Sequence, residues 1–306
     1  MIRRAAKLFA FATAVLLAVG ACSGAGHERS AIVVTTNILG DITRAVVGDQ
    51  AEVTVLMKPN ADPHSFGVSA RQAADLERAG LVVYNGLGLE EGVLRHVRAA
   101  EGAGVPVLAV GDGVHPLRYT VDGAEGQPDP HFWTDPRRVR DAVDAISKHV
   151  VDHVDGVAPE VIRRNADRYR AELDGLDASM RERFGRIPPQ RRKLVTNHHV
   201  FGYFAKRFGF EVIGAVIPSG TTLASPSASD LKSLADAVRA AGVPAIFADS
   251  SQPDRLARVL ADQAGLRIAV IPLFSESLSE PGRGAGTYLE MMRANTEAIA
   301  GGLSAG

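Results

Sequence analysis

The hydrophobic positions of the chain form short runs that alternate with stretches of helical periodicity. Runs rich in β-branched residues predict strands, whereas apolar residues spaced three or four apart in polar surroundings predict helices. The predicted strands are 32–36, 53–57, 81–84, 105–110, 194–196, 211–217, 245–247 and 268–273. The predicted helices are 38–47, 70–79, 136–153, 159–184, 200–208, 230–240, 253–264 and 287–300. Because strands and helices alternate, we expect an α/β fold of mostly parallel sheets flanked by helices.

The middle of the chain interrupts this alternation with two long helical stretches. Asp135 followed by Pro136 is typical of a helix start, because the carboxylate accepts from free backbone N–H groups and proline suits the first helical position. No strand pattern intervenes before the second stretch ends. We therefore predict an N-terminal lobe at 31–155 and a C-terminal lobe at 188–306, joined by one long helix within 156–187.

The beginning of the chain has the pattern of a bacterial lipoprotein signal peptide. Three basic residues precede an apolar run at 8–19, which is shorter than the roughly 20 residues that span a bilayer. The run ends in small residues before Cys22, the only cysteine in the chain. We expect a signal peptide at 1–21, lipidation of Cys22 and a flexible tether at 22–30. An ordinary signal peptide with an incidental cysteine is the alternative.

Composition and charge narrow the function classes. The formal net charge is −1, aromatic residues make up 6% of the chain, and no basic tract is present. These features argue against a nucleic-acid partner. A single cysteine also excludes an intramolecular disulfide, so the fold must be stabilised by its hydrophobic core.

Four side chains of metal-ligand type stand where parallel sheets place their sites. His64, His198 and Glu276 each follow a predicted strand, and His131 precedes a predicted helix. Ligands of open α/β sheets bind beyond the carboxyl ends of the strands, so these residues could meet in a cleft between the lobes. Three imidazoles and a carboxylate suit a borderline-soft ion such as Zn²⁺.

Five motifs in a fixed order resemble those of a known family. Together they are similar to the zinc- and manganese-binding lipoproteins of ABC importers, the ZnuA/TroA type, and the resemblance covers residues 31–303. The motifs are Asn-Ala-Asp-Pro-His-Ser-Phe at 60–66, Asn-Gly-Leu-Gly-Leu-Glu at 85–90, Asp-Pro-His-Phe-Trp at 129–133, Thr-Asn-His-His-Val-Phe-Gly-Tyr-Phe at 196–204, and a closing helix that begins at 287.

The resemblance implies a metal site in the cleft between the two lobes, with His64, His131 and His198 as ligands. His199 is then a neighbour, although a shift of one position would exchange it with His198. The fourth ligand departs from the family pattern, because Glu276 stands where the family usually has aspartate. Asp249 corresponds to an acid that supports the site without binding the ion. The implied metal is zinc, with manganese as the alternative.

The resemblance also implies a carrier rather than an enzyme. The protein would hold the ion at the outer face of the cytoplasmic membrane, anchored through Cys22, and deliver it to an ABC permease. It would act as a monomer, with a metallochaperone as an optional further partner. Whether the loop at 111–129 helps to capture metal stays open.

Two other functions stay open at this point. A zinc hydrolase needs a coordination position for water, so it requires that Glu276 does not bind the ion. A surface adhesin with the same lipoprotein fold would bind host or matrix proteins.

Overall fold

The computed structural model describes residues 31–120, 124–265 and 268–304. The predicted signal peptide, Cys22 and the tether lie outside the described residues, and their assignment stays a prediction. Within the described ranges, no helix is both long and apolar enough to cross a membrane.

The described part of the chain contains eight strands and nine α-helices. The strands are β1 (Ile32–Val34), β2 (Val53–Val55), β3 (Leu81–Tyr84), β4 (Val107–Ala109), β5 (Lys193–Thr196), β6 (Glu211–Ala215), β7 (Ala245–Asp249) and β8 (Ala269–Leu273). The helices are α1 (Asn37–Val47), α2 (Ala70–Arg78), α3 (Leu94–Gly102), α4 (Pro136–His153), α5 (Pro159–Gly185), α6 (Gly202–Phe208), α7 (Ala228–Ala241), α8 (Arg255–Ala264) and α9 (Tyr288–Ser304).

The strands form two four-stranded sheets of the same topology. Their orders are β2-β1-β3-β4 and β6-β5-β7-β8, and every pairing is parallel. The central strands β1 and β7 are buried along their whole length, as expected for parallel sheets covered by helices on both faces. The predicted α/β class with two parallel-sheet lobes is confirmed.

The long helix α5 lies between the two sheets in the chain and packs on α1, α4 and α9. Its buried apolar residues recur every three or four positions, so one continuous stripe faces the core. The core around it extends from strand β1 through α5 to helix α6 without a break. The stripe consists of Ile162, Ala166, Tyr169, Leu173, Leu176, Met180 and Phe184. Because the lobes share this core, their relative movement is restricted on the side of α5.

Helix starts follow the capping chemistry of the sequence. Asp135 Oδ1 accepts from Arg137 N at 2.9 Å, and Pro136 occupies the first turn of α4, as predicted.

The sequence pattern did not predict helix α3. It is short, its N-cap residue Val93 offers no side-chain cap, and only Val97 and Ala100 are buried, so its hydrophobic period is weak.

Candidate metal site

Four side chains from four separate segments converge between the two lobes. His64, His131, His198 and Glu276 are each at most 2% exposed. One ligand atom from each lies within 4.8 Å of all the others. His64 follows β2, His198 follows β5 and Glu276 follows β8, so the cluster lies beyond the carboxyl ends of both sheets, as the strand pattern predicts.

The spacing of the imidazole nitrogens fits a tetrahedral ion. His131 Nε2 lies 3.3 Å from His64 Nε2 and 3.3 Å from His198 Nε2. A zinc ion bound at its usual nitrogen distance of about 2.0–2.1 Å would separate two tetrahedral ligands by roughly 3.3 Å. The chain therefore holds His131 Nε2 at the separation that coordination requires from each of the other two nitrogens.

The carboxylate of Glu276 faces the Nε2 atoms of all three histidines. Its Oε1 lies 3.3 Å from His198 Nε2 and 3.6 Å from His131 Nε2, and its Oε2 lies 3.8 Å from His64 Nε2. Both oxygens are buried and lack a hydrogen-bond partner of good geometry among the described residues. A buried carboxylate with two unsatisfied oxygens is costly, so this arrangement indicates that a cation satisfies them.

The tripeptide Asp-Pro-His occurs twice, and it builds the same turn each time. Asp62 Oδ1 accepts from His64 N at 2.9 Å, and Asp129 Oδ1 accepts from His131 N at 2.9 Å. An aspartate that binds the N–H two residues on forms an Asx turn, and the intervening proline restricts the backbone further. Each turn fixes the backbone of one histidine at the edge of the site.

Asp129 also fixes the ring of His131. Its Oδ1 lies 2.8 Å from His131 Nδ1, which favours the tautomer with the proton on Nδ1 and leaves the Nε2 lone pair facing the cluster. Tyr119 Oη lies 3.0 Å from the same nitrogen, and Asn85 Nδ2 donates to Pro130 O at 3.1 Å. The Gly-rich turn that contains Asn85 therefore supports the loop of His131.

Two adjacent histidines follow β5, but only the first enters the cluster. Thr196 Oγ1 donates to the carbonyl of His198 at 2.8 Å, and the His198 side chain turns inward. His199 donates its backbone N–H to Ser219 O at 3.1 Å, and its ring does not belong to the cluster.

The segment that carries Glu276 is fixed by buried hydrogen bonds. Asp249 Oδ2 accepts from the Ser275 backbone N–H at 3.3 Å and from its hydroxyl. Trp133 Nε1 donates to Ser275 O at 2.9 Å. Asp249 therefore contacts the residue next to Glu276 rather than the cluster itself, and the Trp133 ring packs 5.2 Å from that of His131.

Burial sets the protonation of the cluster. Burial, followed by the neighbouring imidazoles His131 and His198, lowers the pKa of His64 to about 2. Burial also lowers the pKa of His131 well below its usual value. Burial raises the pKa of Glu276 to about 7. For His198, burial lowers the pKa, but the facing Glu276 carboxylate together with Asp249 and Asp62 outweighs burial, so the net pKa is raised. The imidazoles of His64 and His131 are therefore neutral, as metal binding requires, whereas the raised pKa of His198 means that a metal ion competes with a proton for that nitrogen.

The sequence predicted the four clustered residues, but it did not predict three residues that form hydrogen bonds to the histidines of the cluster. Asp62 and Asp129 bind the histidine backbones, and Tyr119 reaches His131 from the loop at 111–129. The repeated Asp-Pro-His tripeptide was the available signal for the two aspartates. Nothing in the local sequence marks Tyr119.

Solved structures share this architecture over nearly the whole chain. The periplasmic zinc-binding protein TroA from Treponema pallidum aligns with a TM-score of 0.83 and 30% identity, covering 90% of this chain and 99% of that one. A manganese-bound periplasmic metal-binding protein from Candidatus Liberibacter asiaticus aligns with a TM-score of 0.79 and 26% identity, with the same coverage.

Similar sequences carry the names of different metals. The zinc-binding protein TroA of Treponema pallidum is 31% identical, covering 94% of this chain and 93% of the relative. The iron-binding protein YfeA of Yersinia pestis is 29% identical, covering 90% and 86%. The manganese ABC transporter substrate-binding lipoprotein PsaA of Streptococcus anginosus is 27% identical, covering 95% and 94%.

The sequence profile of one family extends over the described lobes and the helix between them. That family is the periplasmic zinc-uptake complex component A, or ZnuA, and its profile matches residues 32–302. The chain belongs to this family and is a metal-binding solute-binding protein of an ABC importer.

Proposed function

We propose that the protein captures a zinc ion outside the cytoplasmic membrane and delivers it to the permease of an ABC importer. The observation that carries this proposal is the set of three imidazole nitrogens and one carboxylate gathered within 4.8 Å. His64, His131, His198 and Glu276 are the proposed ligands. Asp249 supports the Glu276 segment, and His199 stands outside the coordination sphere. Cys22 is the proposed lipid anchor, supported by the signal-peptide pattern that precedes it.

The donor set favours zinc over harder ions. Three imidazoles and one carboxylate suit Zn²⁺, whereas Mn²⁺ prefers more oxygen ligands. Manganese is the second candidate, because both Glu276 oxygens face the imidazoles and a bidentate carboxylate would raise the coordination number to five. The names of the relatives do not decide between these metals.

A closed coordination shell favours a carrier over a zinc hydrolase. A catalytic zinc keeps one position for water, with three protein ligands. Here the Glu276 oxygens lie 3.3 to 3.8 Å from the three imidazole nitrogens, so the carboxylate would take the fourth coordination position in place of water.

The proposal is tested by a metal titration of residues 23–306. The protein is stripped with a chelator and titrated with zinc and with manganese in competition with a metal-sensitive dye. We expect one tightly bound zinc ion per chain and weaker binding of manganese. Stronger manganese binding would transfer the assignment to that metal, and failure to bind either ion would refute the function.

Zinc affinity should fall as the pH drops below about 7. Zinc binding requires an ionised Glu276 and a free Nε2 on His198, and the pKa of Glu276 is raised to about 7 by burial. Below that pH the ion must displace a proton, so the affinity should fall about tenfold per pH unit. Above it the affinity should level off. Competition titrations from pH 5 to 9 measure this profile, and an affinity independent of pH below 7 would contradict it.

Replacing Asp129 by asparagine should weaken zinc binding by about 10- to 100-fold, the usual effect of losing a partner that orients a ligand. The carboxylate lies 2.8 Å from His131 Nδ1, and an amide would no longer stabilise the tautomer that binds the ion. The matched control is Asp112→Asn, an exposed aspartate of the same lobe, for which we expect unchanged affinity. Equal affinities in both variants would remove Asp129 from its supporting role.

A further inference from the structure

Among the hydrogen bonds that join the two lobes around the site, two sets differ in their burial. On one side, the segment of Glu276 is docked on the N-terminal lobe by buried bonds. Leu278 N donates to Asn37 Oδ1 at 2.9 Å, and Asn37 Nδ2 donates to Ser277 Oγ at 2.8 Å. These bonds lie away from water, so breaking them would leave unsatisfied polar groups. This side of the cleft is therefore fixed.

On the other side, one carboxylate receives side chains from two segments of the C-terminal lobe. Asp62 Oδ2 accepts from Thr222 Oγ1 at 2.6 Å and from Gln252 Nε2 at 3.1 Å. Thr222 belongs to the loop between β6 and α7, and Gln252 follows β7. Thr222 and Gln252 are only partly buried, so water can replace these bonds when they break. This side of the cleft is the one that can open.

The same carboxylate is linked directly to a proposed ligand. Asp62 Oδ1 holds the backbone N–H of His64, so its two oxygens join the first histidine to the opposite lobe. Two backbone carbonyls of the same loop also accept hydrogen bonds. Gly220 O accepts from Tyr119 Oη at 3.3 Å, and Ser219 O accepts from the backbone N–H of His199. This loop thus contacts a neighbour of each of the three histidines.

We propose that Asp62 acts as a latch that closes the cleft and sets the rate at which the bound metal leaves. The proposal rests on the proposed metal capture and concerns the regulation of that same site. When Thr222 and Gln252 separate from Asp62, the lobe that carries His198 can move away from His64. The shared core around α5 and the fixed Glu276 segment keep this movement small and direct it to the Asp62 side.

The latch is best tested from the C-terminal lobe, because changes there leave the Asp62–His64 turn intact. Thr222→Val keeps the shape of the side chain and removes the donor. Gln252→Glu places a second carboxylate against Asp62. Because a hydrogen bond to a charged group contributes enough to change an equilibrium about tenfold, zinc release should be about tenfold faster in each variant. Release is measured by mixing the zinc-loaded protein with excess chelating dye in a stopped-flow instrument.

Two further variants separate a latch from a general weakening of the loop. Thr222→Ser retains the hydroxyl and should restore slow release. Thr221→Val is the matched control, because the Thr221 hydroxyl accepts only from Leu223 N within its own loop among the described contacts. The midpoint of thermal unfolding of the metal-free protein should stay the same in all variants, whereas a merely structural role would lower it.

Each outcome has one meaning. Faster release in Thr222→Val and Gln252→Glu, with Thr221→Val at the wild-type rate, supports the latch. Wild-type release rates in both latch variants, or equal acceleration in the control, would overturn the latch and leave metal capture intact. A wild-type protein that takes up neither zinc nor manganese would refute the proposed function, and the latch with it.

Discussion

Replacing His198 by alanine should reduce the zinc affinity at least about a hundredfold, whereas replacing its neighbour His199 should leave the affinity unchanged. Structural zinc sites gain about 10–16 kcal/mol from four ligands, so the loss of one ligand costs about 3 kcal/mol. His198 Nε2 lies 3.3 Å from His131 Nε2 inside the cluster. The His199 ring lies outside it, and burial lowers the pKa of that imidazole to about 4, so its removal takes no charge away from the site near pH 7.

The pair of variants is a matched control, since both remove an imidazole from the same segment of the chain. Competition titrations of the two proteins against the same dye measure the difference in affinity. The opposite result, in which His199→Ala abolishes binding and His198→Ala does not, would mean that the third ligand is shifted by one position. Equal effects in the two variants would indicate damage to the loop rather than loss of a ligand.

Replacing Glu276 by glutamine should weaken zinc binding about a hundredfold and, in the same protein, raise the stability of the metal-free fold. Burial raises the pKa of Glu276 from 4.5 to about 7. The folded state therefore holds this proton more tightly than the unfolded chain, and the folded state loses stability as the pH rises from 4.5 to 7. Above pH 7 the full cost of the buried charge remains. Removing the charge should increase the free energy of unfolding at pH 8 by about 3 kcal/mol.

Denaturant unfolding at pH 5 and pH 8, with a chelator present, measures this gain. The variant should exceed the wild type at pH 8, and the difference should be smaller at pH 5, where the wild-type carboxyl is largely protonated. Glu280→Gln is the control, because Glu280 is an exposed acid in the same segment. A variant that is less stable than the wild type at pH 8 would show that Glu276 is satisfied by other groups in the metal-free protein.

The parts of this molecule that sequence predicts are those encoded locally. The strands around Val33 and Val83 are short β-branched runs, and Asp135-Pro136 marks the start of α4 with two independent signals. The proposed ligand histidines follow strands or precede a helix, so the general location of ligand sites in parallel sheets identifies them as candidates.

The parts that sequence does not predict depend on contacts between distant segments. The hydrogen bond from Thr222 to Asp62 joins residues 160 positions apart, and Tyr119 reaches the carbonyl of Gly220 across 101 positions. No local pattern distinguishes these threonine and tyrosine side chains from surface residues. Local pattern also leaves His198 and His199 equivalent, because both follow β5. The family resemblance predicts His198, and the structure places its side chain in the cluster.

The separation of the proposed ligands along the chain links metal binding to folding. His64 and His131 are 67 residues apart, and so are His131 and His198. Bringing such distant segments together costs loop-closure entropy that only the complete tertiary structure offsets. An unfolded chain therefore presents isolated histidines, each a weak ligand, and high affinity arises only in the step that forms the native structure. An ion retained by this protein is accordingly a sign that both sheets and the long helix have already assembled, and a chain that unfolds releases it.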